Sequence, residues 1–328
     1  MQSHESGPLG PLVIKGDDGR LRIPMRGSAC ACLAADKGCS VYENRPAVCR
    51  IYPYQVHAGR RIQATISLGC PGVAPGIGDA EEGARRAIGL ALAQPDALAM
   101  AARARETFAQ FDQRMKEWGV TATPDKLRSS FAPHLDALAR PEALPAFLAA
   151  IAEGDLALDS RDAVARLLEG EAESDLADLL VEAARDAFDG APHVLWIEPD
   201  HAWTIPQMRG DEIELRRGEQ VTRFAPASLP LDWTEEAVGV LSDHLRRLTL
   251  RDQTEGAAAW IVDASGYQAT LPAAYARVLG EASLQVALRA GLAGEEAGVA
   301  EITPDLAWRG VRAYETSYHS LPTLGSIL

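Results

Sequence analysis

Five cysteines, Cys30, Cys32, Cys39, Cys49 and Cys70, are the residues whose type and spacing invite chemistry, and the chain carries no others. Their pattern is C-x-C-x6-C-x9-C-x20-C. Thiolates hold Zn²⁺ tetrahedrally or anchor iron–sulfur clusters through their sulfurs. An odd count fits a disulfide framework poorly, and such clustering in a reducing compartment favours metal ligation. The spacing matches neither paired C-x2-C zinc knuckles nor a C-x2-C-x2-C ferredoxin run. It therefore leaves zinc and iron both open, beside the plainer reading of packed or incidental thiols. His57 is close enough in sequence to be a further ligand, although a lone histidine is more often solvated.

The elements that must position these thiols are short. Leu12–Ile14 and Leu21–Ile23 flank the turn Gly16-Asp17-Asp18-Gly19 and predict a hairpin. From Cys30 to about Gly78, prolines and glycines interrupt any helical period, and too few apolar residues are present for an independent core. Irregular segments held by metal are the expectation there. Helical sequence starts at Asp79. Segments 79–94, 96–118, 123–138 and 140–153 are rich in Ala, Leu, Glu and Arg, and are separated by Pro95, Pro124 and Pro141. After Ser174, Leu176, Leu179, Leu180, Ala183 and Ala187 share one face up to a stop at Gly190. Residues 192–225 read as a small β-element, with Glu212–Arg216 alternating ahead of an Arg217-Gly218 turn. Helices resume after Asp232, where Asp232 and Glu235 resemble a capping box, and again at 255–264, 271–290 and 303–318. The fold class expected is mainly α: a module of residues 1–78 with its hairpin, and a helical body of residues 79–328 with a minor β-element.

The residues around the cysteines are more specific than their spacing. The run CACLAADKGCSVYENRPAVCRIYPY, followed by GCPGVAPGIG, resembles the YkgJ-type cysteine-cluster family of zinc- or iron-chelating domains. The matching positions are Cys30 with Leu33, then Cys39, Val41, Tyr42, Arg45, Pro46, Cys49, Arg50, Tyr52 and Pro53, and finally Cys70, Gly72, Gly76 and Gly78. The resemblance implies Cys30, Cys39, Cys49 and Cys70 as metal ligands, enough for one Zn²⁺ or one cubane cluster. Cys32 stands where the family more usually has an apolar residue, and is a spare ligand or a packed thiol. The family commonly has a further cysteine group upstream, and residues 1–29 contain none. Around the ligands, Arg45 and Arg50 would offset thiolate charge, and Tyr42 and Tyr52 would shield the site. The plainer reading pairs these arginines with surface acids and puts the tyrosines in the core. By family resemblance the cofactor expected is an iron–sulfur cluster or iron, with zinc as the alternative.

Composition narrows the function classes. With 46 acidic against 32 basic side chains the net charge is −14, which argues against a nucleic-acid partner. The start lacks a secretory pattern, and the longest apolar runs, such as Leu144–Ala152, fall well short of the ~20 residues that span a membrane. A cytoplasmic protein without a membrane partner is the expectation. Gly76-Ile77-Gly78 is no nucleotide loop, because no strand precedes it and Asp79, Glu81 and Glu82 would repel phosphate. Asp243-His244 reads as surface rather than an acid–base pair, and Tyr314, Tyr318 and His319 as core edge. No catalytic residue is assigned. Three functions follow: a redox or group-transfer metalloenzyme, with methyl transfer suggested by distant likeness to flagellin lysine N-methylases; a structural zinc module on a helical interaction scaffold, with a protein substrate or partner; or a metal-chelating delivery protein.

Overall fold

A computed structural model describes residues 14–15, 21–22, 25–26, 29–30, 32, 34, 39–69, 80–118, 123–152, 175–189, 195–197, 203–317 and 322–328. Two short ladders open the chain: β1 (Ile14–Lys15) pairs with β2 (Leu21–Arg22), and β3 (Met25–Arg26) with β4 (Ala29–Cys30). The first is the hairpin expected around the Asp-Asp-Gly turn. The one-turn helix α1 (Ala47–Ile51) follows Pro46. Then β5 (Tyr54–Ala58) and β6 (Ile62–Ile66) form an antiparallel hairpin, with Tyr54 opposite Ile66 and Ala58 opposite Ile62. Expecting only irregular segments here was incorrect. Ile62 and Ala64, two residues apart, pack against the small core of Ile51, Val56, Ala87 and Ala91, while Ile66 packs on the main helical core, and these contacts outweigh the flanking glycines and prolines.

Helices dominate the remainder: α2 (Ala80–Leu92), α3 (Ala97–Glu117), α4 (Pro124–Phe131), α5 (Leu135–Leu138), α6 (Leu144–Ala152) and α7 (Leu176–Phe188). The Thr123 hydroxyl accepts from the Lys126 amide, and the Asp175 carboxylate from the Asp178 amide, each satisfying a helix-start donor. An antiparallel sheet in the order β10-β9-β8-β7 then interrupts the helices. Its strands are β7 (Trp196–Ile197), β8 (Trp203–Arg209), β9 (Glu212–Arg217) and β10 (Gln220–Phe224), the β-element expected at 192–225. Met208, Ile213 and Leu215 from this sheet bury against Leu180, Ala184 and Phe188 of α7.

The core lies among α8 (Glu235–Thr249), α9 (Asp252–Ala264), α10 (Leu271–Ala297) and α11 (Pro304–Ser317). The cap of α8 is Thr234, whose hydroxyl accepts from the Ala237 amide, while Asp232 belongs to β11 (Asp232–Trp233). The cap expected at Asp232 therefore falls two residues later, at Thr234, and with Ala237 at the third helical position it is a plain cap rather than a capping box. β11 pairs in parallel with β12 (Glu301–Ile302). α10 is buried over nearly its whole length, and the polar side chains of its middle turns fall mainly in the narrow row Arg277, Glu281, Gln285 and Arg289, as suits a helix largely surrounded by others. Thr270 caps its start, and Gly298, at φ 66°, ends it in the left-handed conformation that glycine tolerates best. The fold is mainly α, as its sequence implies.

Candidate metal centre

Three of the five cysteines have described side chains. Cys32 is 3% exposed, and Cys39 and Cys49 are half-buried. None forms a disulfide with another described cysteine. The Cys32 carbonyl accepts from both the backbone amide and the hydroxyl of Ser40, at 2.8 and 2.9 Å, so the chain closes on itself between Cys32 and Cys39. The Tyr42 amide then donates to the Cys39 carbonyl at 3.2 Å, and a 3-10 turn at Tyr42–Asn44 leads to Pro46. Pro46 fixes φ where the first helical N–H has no partner, so α1 starts there and carries Cys49. Cys30 lies in β4; its side chain, and all of Cys70, lie outside the described residues. Among the described residues no three Cys, His, Asp or Glu side chains are placed to hold a metal ion.

The two tyrosines named with these ligands are exposed among the described residues. Tyr42 is 58% exposed and Tyr52 50%. The Arg45 guanidinium stacks 3.7 Å from the Tyr42 ring centre, and its Nε donates to the Tyr42 carbonyl at 3.0 Å. Arg50 is exposed on α1. The donor chemistry fits a soft or borderline metal: half-buried thiols of this kind ligate as thiolates, which Zn²⁺ and iron accept.

α1 and the strands that follow it pack against elements from both ends of the chain. Ile51 and Val56 pack with Ala87 and Ala91 of α2, forming a small core under α1. β13 (Ser326–Ile327) pairs with β5, placing Ile327 opposite His57 and making a three-stranded sheet in the order β13-β5-β6. At the exit of that sheet, Gly69 lies against α11. A Cβ at Gly69 would stand 2.8 Å from Thr316 Cγ2 and 3.1 Å from the Arg312 carbonyl, so only glycine fits the residue before Cys70.

A polar seam joins this sheet to the helical body. Arg60 pairs with Asp112 and, at 2.7 Å, with Glu255, and Arg61 pairs with Asp252 at 2.8 Å. Gln63 receives the Asp252 amide at 2.8 Å and donates to the Leu250 carbonyl at 3.0 Å, bridging the start of α9. Burial raises the Glu255 carboxyl while Arg60 pulls it down. His57, expected to be solvated, is 2% exposed, with Nε2 3.3 Å from Thr323 Oγ1. Burial lowers its pKa to about 4, against the opposing pull of Asp252. Further along, buried Arg251 grips buried Glu315 through two bonds of 2.8 and 3.1 Å. The Leu68 amide reaches the same carboxylate at 3.5 Å.

His244 corrects a second expectation. Asp243 is exposed and pairs with Arg246, whereas His244 is fully buried with Nε2 3.8 Å from Glu315. Desolvation, then Arg251 and Arg247, hold it well below its ordinary pKa, so it is neutral while Arg251 satisfies Glu315. Helical direction explains the split: successive residues of α8 face opposite environments. Tyr314 is buried at the core edge, as expected; Tyr318 and His319 lie outside the described residues. The signal for the seam was the buried polar run Arg251-Asp252-Gln253-Thr254-Glu255 ahead of the alanines of α9.

Residues 12–70 match the CxxCxxCC family model, described as a "Putative zinc- or iron-chelating domain". That stretch contains all five cysteines and agrees with the cysteine-cluster resemblance. No curated protein and no solved structure matches the chain. The chelating-domain match supports a metal ion as ligand. No helix among the described residues is long and apolar enough to cross a membrane.

Proposed function

We propose that Cys30, Cys39, Cys49 and Cys70 bind one metal centre, iron as an iron–sulfur cluster ahead of zinc, with Cys32 as a packed thiol beside it. The observation that carries this reading is the zinc- or iron-chelating match over residues 12–70, within which Cys39 and Cys49 keep half-buried, ligand-competent thiols. The deep burial of Cys32 favours packing for that residue. Four thiolates around Zn²⁺ carry a net −2 charge, and the cationic surface of Arg45 and Arg50 lies within the same segment to offset it. An iron–sulfur cluster would supply redox or group-transfer chemistry, methyl transfer among it, to a protein substrate or partner.

A second reading, a structural zinc site serving a helical scaffold, draws on the seam. The sheet that follows α1 is tied to α9 by the Arg60–Glu255 and Arg61–Asp252 pairs and to α11 by the Leu68 amide on Glu315, so closing a thiolate site would lock both ends of the chain. Cysteine replacement tests the ligand assignment. Cys49→Ser is expected to lose the bound metal, whereas Cys32→Ser is expected to keep most of it, each measured as metal per chain after desalting. Undiminished metal in Cys49→Ser, or complete loss in Cys32→Ser, would overturn the assignment.

A further inference from the structure

Outside the cysteines, a cleft of about 370 Å³ opens between β6 and the C-terminal end of α8. Ligand pockets commonly run from ~300 to 1,000 Å³. Its walls are Gln63, Thr65, Ile66 and Leu68 on one side and Arg247, Leu250 and Arg251 on the other. Leu250 is 61% exposed here, an aliphatic side chain with nothing in the described fold covering it.

The charges around this cleft are unequal. Arg246 is paired with Asp136 and Asp243. Arg251 at the floor is held by Glu315. Arg247, on the exposed rim, has no carboxylate partner among the described residues; its guanidinium carbon lies 5.9 Å from the Trp308 ring centre. In a chain of net charge −14, this cation at the mouth of the cleft meets no carboxylate among the described residues and offers a match for an anion from outside. A guanidinium meets a carboxylate through two parallel bonds, which suits a single anionic head. Glu315 behind Arg251 disfavours a second negative charge at the floor.

We propose that this cleft binds an aliphatic carboxylate, its head on Arg247 and its chain along Ile66, Leu68 and Leu250. The inference does not depend on which metal, if any, the cysteines hold.

Calorimetric titration of the whole chain with octanoate, octanol and octylamine tests it. Octanoate is expected to bind once per chain, octanol about tenfold more weakly for want of the charged hydrogen bonds, and octylamine weakest. Arg247→Ala is expected to reduce octanoate to the octanol level, while Arg247→Lys retains part of the difference. Leu250→Asp is expected to abolish octanoate binding. Both positions are exposed, and circular dichroism checks that each variant is folded. Absence of octanoate binding, equal binding of octanoate and octylamine, or an unchanged Arg247→Ala would each overturn the proposal.

Discussion

His57 shows how one side chain acquires consequences from its neighbours. It sits on β5 beside the C-terminal strand, with Thr323 against its ring, where water is excluded and a positive charge is costly. Its folded pKa of about 4 lies below the ordinary 6.5, so the unfolded chain takes up the proton first. The stability contributed by neutral His57 is therefore complete above about pH 6.5 and is lost as the pH falls from there to about 4. The full span of that loss is about 3 kcal/mol. Urea unfolding of His57→Gln across this window is expected to show a shallower pH dependence than the parent chain; identical slopes would contradict this. The sequence alone showed a histidine near cysteines, and ligation or solvation were the natural readings. Burial came from Thr323 and Ile327, more than 250 residues away, which no local pattern reveals.

At the scale of elements, helices were legible where capping residues and prolines mark their ends. Thr123-Pro124, Asp175 and Thr270-Pro272 open α4, α7 and α10 close to the expected positions. The β5–β6 hairpin was not legible, because glycines and prolines crowd its flanks while its stability comes from α2 and the polar seam. Nor did periodicity show that α11 carries a carboxylate for Arg251 on the loop before α9. That pair makes a strong prediction. Glu315→Ala leaves the buried Arg251 without its bidentate partner and is expected to cost about 3–5 kcal/mol in thermal or denaturant unfolding. Adding Arg251→Met is expected to recover much of the loss, since it removes the uncompensated charge. A loss in Glu315→Ala no larger than the ~1 kcal/mol of an exposed pair would contradict this account of the junction.

Across the whole molecule, the cysteine-bearing segment and the helices are parts of one packed arrangement. The chain returns after α11 to lay β13 on β5, and Gly69 presses on α11 immediately before Cys70. The candidate ligands were legible because cysteine is rare here and its neighbours keep fixed offsets. The seam that ties the β5–β6 turn to α9 was not, because ion pairs between Arg60 or Arg61 and residues near 252 depend on tertiary contact. The central claim is that the cysteines hold a metal, and elemental analysis with an absorption spectrum of protein purified without oxygen tests it most directly. The account predicts iron, accompanied by sulfide and a broad visible band that disappears in Cys49→Ser. One colourless zinc per chain would replace the cluster with the structural reading, and protein free of both metals would contradict the claim itself.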